Sequence, residues 1–109
     1  MRLYHNPRCS KSRQALAILQ ATGLEFEDYR YLEKGIHAED LANISKLEGA
    51  IRKGDIDNDY QCDLSNSEEV MLLLQRFPKT LQRPLLVSGQ DLVIGRPPEN
   101  ISKYLESKN

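Results

Sequence analysis

The sequence predicts an α/β domain built on a mixed four-stranded sheet. Three observations carry this. A short apolar segment, a helix-period segment and a second alternating segment follow one another with short connections. Two apolar runs separated by a turn come near the end. A final amphipathic stretch closes the chain. A strand, a helix and a strand so closely spaced form a right-handed parallel βαβ unit, the first half of such a domain.

Each element has a local reason. Residues 2–5 read as a strand with β-favouring Tyr4. From Ser10 to Thr22 the residues Ala15, Leu16, Ile18 and Leu19 recur at helical spacing, and Gly23 supplies the stop. Residues 26–31 read as the second strand, with Tyr29 and Tyr31 alternating with Asp28 and Arg30. The middle is helical and less regular. Glu39 to Leu47 carries Leu41, Ile44 and Leu47 on one narrow stripe, and a single turn is expected over Ala50–Lys53. The stretch from Asp55 to Asn66 is polar and reads as a loop. Ser67 is the expected N-cap of a helix that Pro78 ends, with Glu68 and Glu69 in its first turn. Pro84 to Val87 is an apolar strand, Ser88-Gly89-Gln90-Asp91 a turn, and Leu92 to Ile94 its partner. Gly95-Arg96-Pro97-Pro98 breaks the chain before a last helix from Pro98 or Glu99 to about Ser107.

The order β-α-β, helices, β-β-α is that of a thioredoxin-like domain with a helical insertion between its halves. At 109 residues the whole chain, 1–109, is expected to be one domain, with the insertion at about 34–78. In this architecture Pro84 stands where a cis proline opens the third strand and faces the start of the first helix.

Composition narrows the function. The balance of 15 basic and 16 acidic residues argues against a nucleic-acid binder relying on backbone electrostatics. Neither a membrane-spanning run nor a signal-peptide pattern occurs, so a cytoplasmic location and no membrane partner are expected. Charge is nevertheless uneven: Arg8, Lys11 and Arg13 cluster, and Asp55, Asp57, Asp59 and Asp63 form an acidic patch. Cys9 and Cys62 are too few and too far apart for a disulfide scaffold. With only His5 and His37 to join them, no metal site is expected.

Cys9 is the candidate nucleophile. It sits where a strand runs into a helix, beside Arg8 and Lys11 and near His5, all of which favour thiolate over thiol. The competing reading is a small hydrophobe packed under the helix. Ser12 makes the string CxxS, so no adjacent thiol can close a local disulfide. Its hydroxyl either donates to the Cys9 sulfur or caps the helix. Arg83, before Pro84, and Arg96, in the following proline-containing turn, lie at one end of the sheet. Arg52 follows the inserted helix. Several arginines suit a doubly charged tetrahedral oxyanion, because guanidinium is planar and always charged. Cys62, beside Asp63 in a polar loop, reads as incidental, or as a distal resolving thiol should its loop reach Cys9, and His37 reads as a surface residue.

The strings His5-Asn6-Pro7-Arg8-Cys9-Ser10-Lys11-Ser12-Arg13, Tyr31-Leu32-Glu33, Ile51-Arg52-Lys53, Arg83-Pro84-Leu85-Leu86-Val87 and Gly95-Arg96-Pro97-Pro98-Glu99 resemble the glutaredoxin-linked arsenate reductase family. The resemblance covers nearly the whole chain in order. It implies that Cys9 attacks arsenate, that glutathione as co-substrate displaces the arsenic, and that glutaredoxin completes reduction to arsenite, with no bound cofactor. It also implies that Arg52, Arg83 and Arg96 bind the oxyanion, that His5 lowers the thiol pKa, and that Ser12 lies near the sulfur. The expected protein is a bacterial monomer. Where arsenate reductases carry Gly-Thr after the cysteine, this chain has Ser10-Lys11, which resembles an arsenate-reductase-like side branch. The alternatives are an Spx-like regulator that binds RNA polymerase, against which Ser12 counts because such regulators use CxxC, and a monothiol that exchanges with glutathione and uses no oxyanion.

Overall fold

The structure, a computed structural model, describes residues 1–108. The chain divides into two compact units, one formed by Met1–Arg30 together with the stretch from Arg83 onward, the other by Tyr31–Gln82.

The first unit holds a four-stranded sheet in the order β2-β1-β3-β4, where β1 is Arg2–Tyr4, β2 Glu27–Tyr29, β3 Leu85–Ser88 and β4 Asp91–Ile94. β1 pairs parallel with β2 and antiparallel with β3, and β3 pairs antiparallel with β4. This is the mixed, thioredoxin-like sheet that the order of elements predicts. Between β1 and β2 runs α1, Ser10–Thr22, which ends at Gly23 in the left-handed region (φ 74°). Glycine adopts that conformation without a Cβ penalty, so the helix stops there.

The core follows from the strand period. Leu3, Leu86 and Val93 occupy facing register positions on β1, β3 and β4. They therefore point to one face. There they meet Ala15 and Leu19 of α1 and Ile101 of α5, Glu99–Ser107. Leu3, Leu19, Leu86 and Ile101 are each fully buried, and each such side chain contributes about 1.5–3 kcal/mol relative to exposure.

β2 is shorter than the 26–31 expected from alternation. Its last rung is the His5 N–H donating to the Tyr29 carbonyl at 3.0 Å. Beyond it β1 turns away at Asn6-Pro7, so β2 loses its partner, and Tyr31 instead opens a one-turn helix, α2, Tyr31–Lys34.

In the second unit α3, Ala38–Ser45, packs on α4, Ser67–Arg76, burying Ile44 against a unit whose core also holds Val70, Leu73 and Leu74. The cap of α4 differs from expectation, and α3 has a cap that its sequence does not announce. Asn66, one residue before Ser67, accepts from the Glu68 and Glu69 N–H groups, because its side-chain oxygen reaches both orphan donors. His37 is half-buried and uses its ring Nδ1 to accept from the Glu39 N–H at 3.1 Å, capping α3. The single turn expected at 50–53 is a short antiparallel pairing: Ile51 bridges Leu81, Arg52 N–H donates to Thr80 at 2.7 Å and Gln82 N–H to Ala50 at 2.7 Å. A single 3-10 turn, Lys53–Asp55, comes after it. The acidic patch is partly neutralised within this unit, since Arg52 Nε lies 3.7 Å from Asp55 and Lys79 3.1 Å from Asp57.

Candidate active site

The site is built from a loop, a helix end and two strand ends. Asn6 accepts twice across the loop, its side-chain Oδ1 from the Arg8 N–H at 3.0 Å and its carbonyl from the Cys9 N–H at 2.9 Å. The chain is thereby turned so that Cys9 becomes the N-cap of α1, with extended backbone (φ −95°, ψ 122°) and its carbonyl accepting from Arg13 at 3.1 Å. The Cys9 side chain makes no capping bond, and α1 carries no acidic residue in its first turn. The positive end of the helix is therefore left to the sulfur and to whatever anion approaches it.

The second wall comes from β3 and β4. The Arg83–Pro84 peptide is cis, as expected, and so, beyond expectation, is Arg96–Pro97. Arg96 follows β4 directly after Gly95. A Cβ on Gly95 would stand 2.8 Å from Pro84 Cγ and 3.0 Å from Ile101 Cδ1, so only glycine lets the chain lie this close to the proline. The Gly95 N–H also donates to the Pro84 carbonyl at 2.9 Å. From this seat Arg96 reaches both ways. Its Nε donates to the Arg83 carbonyl at 2.8 Å, and its Nη2 donates toward the Cys9 sulfur at 3.7 Å. An otherwise exposed guanidinium is thus oriented by backbone onto the thiol.

The electrostatics follow. Burial, the largest single effect on Cys9, opposes ionisation. Together the Ser12 backbone N–H, the Ser12 hydroxyl, the Lys11 backbone N–H and the Arg96 charge outweigh it, and the thiol pKa is lowered. Ser12 is fully buried and its hydroxyl has no hydrogen bond of ordinary geometry; it acts on the sulfur from beside it. By sequence, the depressed pKa is expected from the helix N-terminus together with Arg8, Lys11 and His5, and the backbone donors of Ser12 and Lys11 are that helix end. Here the cation against the sulfur is Arg96, and Lys11 contributes through its backbone. His5 is 2% exposed, and burial, the leading effect, lowers its own pKa, which favours the neutral ring. Its Nδ1 is buried without a hydrogen-bond partner.

Cys9, Ser12, His5, Arg83, Pro84 and Arg96 all belong to the α/β unit, whereas Arg52 is carried by the Tyr31–Gln82 unit. Cys62 is a free thiol whose pKa is raised by burial and by the nearby Glu69 and Asp63 carboxylates. It lacks the electropositive surroundings of Cys9. Among the described residues no group of three His, Cys, Asp or Glu side chains is arranged to hold a metal ion, and no helix is long and apolar enough to cross a membrane. Asn6 and Gly95 join the site through the structure. Their signals were local: an Asn-Pro step at a strand end, and a glycine directly before the arginine.

Comparison with known proteins agrees with this construction. The chain is 36% identical to YfgD of Escherichia coli K12, covering 93% of this chain and 92% of that one. It is 32% identical to an arsenate reductase of Neisseria meningitidis serogroup A, covering 96% and 97%. Among solved structures it resembles an arsenate reductase from Vibrio cholerae, with a TM-score of 0.75 and 26% identity over 94% of this chain and 97% of that one. A more distant similarity, 27% identity over 94% of the chain, is to the global transcriptional regulator Spx 1 of Lactococcus lactis. The family description "ArsC family" matches residues 4–104, nearly the whole chain, and with the relatives above it establishes that this protein belongs to the ArsC family.

Proposed function

We propose that the protein reduces arsenate to arsenite, with Cys9 as the nucleophile and glutathione and glutaredoxin as the source of electrons. The observation that carries this reading is the Arg96 guanidinium, anchored on the Arg83 carbonyl at 2.8 Å and directed at the Cys9 sulfur at 3.7 Å. A thiolate approaching a doubly charged oxyanion meets repulsion, which fixed guanidinium donors offset without reorganising during the reaction.

The Cys9 thiolate attacks arsenic, an S–As bond forms, and one arsenate oxygen departs as water after protonation. A glutathione thiolate then attacks the Cys9 sulfur. The S–As bond breaks, its electron pair passes to arsenic, and arsenite leaves in the +3 state. Cys9 is left in a mixed disulfide with glutathione. A glutaredoxin thiol removes the glutathione and returns the Cys9 thiolate, so two thiols supply the two electrons. Ser12 in place of a second cysteine is consistent with this reliance on external thiols. Arg83 and Arg96 hold the oxyanion in this scheme, and Arg52 joins them on the strength of the sequence pattern alone. The Spx-like reading lacks the second thiol of a CxxC switch in this chain, and a bare glutathione exchange leaves the arginines without a role.

The test is a coupled assay with arsenate, glutathione, glutaredoxin, glutathione reductase and NADPH. Arsenate-dependent NADPH consumption is expected, and Cys9→Ser is expected to abolish it. No turnover by the purified protein at millimolar arsenate would refute the proposal.

A further inference from the structure

Among the residues from His5 to Arg13 that the chemistry above leaves unused, the side chains of Asn6 and Arg13 both bond back to the chain ahead of α1. Asn6 is nearly buried and Arg13 exposed, yet both bond to the same four-residue loop. Asn6 holds it from the inside, through Oδ1 to the Arg8 N–H at 3.0 Å and through its carbonyl to the Cys9 N–H at 2.9 Å. Arg13, one helical turn past Cys9, reaches back from the outside. Its Nη1 donates to the Pro7 carbonyl at 2.9 Å, and its own N–H closes the first helical bond to the Cys9 carbonyl at 3.1 Å. An Asn side chain that accepts from the N–H two residues on is a turn-forming device, and a following proline presets the next φ. Such a turn sets where the chain enters the helix, and therefore where the Cys9 sulfur points.

We propose that Asn6 and Arg13 are positioning residues for the Cys9 nucleophile, bracing the Asn6–Cys9 loop from its two sides so that the sulfur stays at the mouth of α1 beside Arg96. This rests on the reading of Cys9 as the nucleophile. Arg13 consequently belongs to the loop and not to the oxyanion-binding set, although by sequence it is one of the basic cluster with Arg8 and Lys11. The groups that favour the thiolate are the Ser12 and Lys11 N–H groups, the Ser12 hydroxyl and the Arg96 charge, and their effect falls off as the sulfur moves away. A loosened loop moves the sulfur out of their reach while leaving the core of the domain intact.

The test is the pH dependence of Cys9 alkylation by iodoacetamide in a Cys62→Ser background, which needs no arsenate. A failure of arsenate turnover therefore leaves this experiment standing, and the reverse holds too. Asn6→Ala is expected to move the rise in rate to higher pH and to slow alkylation at neutral pH by about three- to tenfold, the scale of one lost hydrogen bond. Asn6→Ser, which forms the same turn more weakly, is expected to recover most of the rate. Arg13→Met is expected to slow alkylation in the same way, and Arg13→Gln, which keeps an N–H donor without the charge, to slow it less. An unchanged pH profile in folded Asn6→Ala would overturn the role of Asn6, even if its melting temperature fell. Equal profiles for Arg13→Met and Arg13→Gln would overturn that of Arg13. If Asn6→Ala does not fold, the exposed Arg13 carries the test, and a wild-type profile in Arg13→Met overturns the proposal.

Discussion

Removing Arg96 isolates the charge that the structure places on the thiol. Its Nη2 lies 3.7 Å from the Cys9 sulfur, and the side chain is exposed. A unit charge at that separation is worth about 1 kcal/mol with the screening of water and roughly four times that with the screening of a protein surface. Because Arg96 faces solvent, the lower figure applies, and Arg96→Met is expected to cut the thiolate population roughly sixfold at any pH below its titration. Iodoacetamide alkylation against pH, in the Cys62→Ser background, measures this directly: the sigmoid moves to higher pH while its plateau stays. Arg96→Lys separates charge from anchoring. Lysine keeps the positive charge but lacks the Nε that donates to the Arg83 carbonyl at 2.8 Å, so its profile is expected between wild type and Arg96→Met. A profile for Arg96→Met that superimposes on wild type would refute the reasoning, since the sulfur would then owe its ionisation to the Ser12 and Lys11 donors without Arg96.

Further outcomes follow from the same geometry. His5 is buried and its pKa lies below the ordinary 6.5, so between the two values the unfolded chain binds a proton that the folded chain excludes. Stability therefore falls as pH drops below 6.5 and levels off once the folded ring itself protonates; denaturant titrations across that range should show the slope, and His5→Gln should flatten it. Gly95→Ala forces a Cβ to within 2.8 Å of Pro84 and is expected to cost about 1–3 kcal/mol in thermal or chemical unfolding. It also displaces Arg96, so alkylation of Cys9 should slow in parallel. Asn66→Ala removes a cap that serves two N–H groups of α4 and is expected to cost about 1 kcal/mol, with Asn66→Asp restoring it. Cys62→Ser should leave Cys9 alkylation and arsenate-dependent turnover unchanged; a large loss of either would assign Cys62 a part that its raised pKa argues against.

Much of the molecule is written in local sequence. The span of α1, its Gly23 stop, the β3–β4 hairpin and the α5 start all depend on periodicity or on one residue's backbone preference, and these are properties a short window contains. Cys9 at the start of α1 is legible for the same reason. What the sequence left open was decided by partners distant along the chain. β2 stops at Tyr29 because β1 turns away at Asn6, and residues 50–52 pair with 80–82 because the fold returns that segment there. The cation on the sulfur is the clearest case. Sequence proximity favours Arg8 and Lys11, yet the side chain that reaches Cys9 is Arg96, 87 positions away. Hydrogen bonds and Coulomb interactions act over a few ångströms of space whatever the separation along the chain. Composition and order therefore determined the fold class and placed a thiol at the start of α1. Only the tertiary structure, through the Gly95–Pro84 contact and the Arg83 carbonyl, decided which arginine the thiol meets.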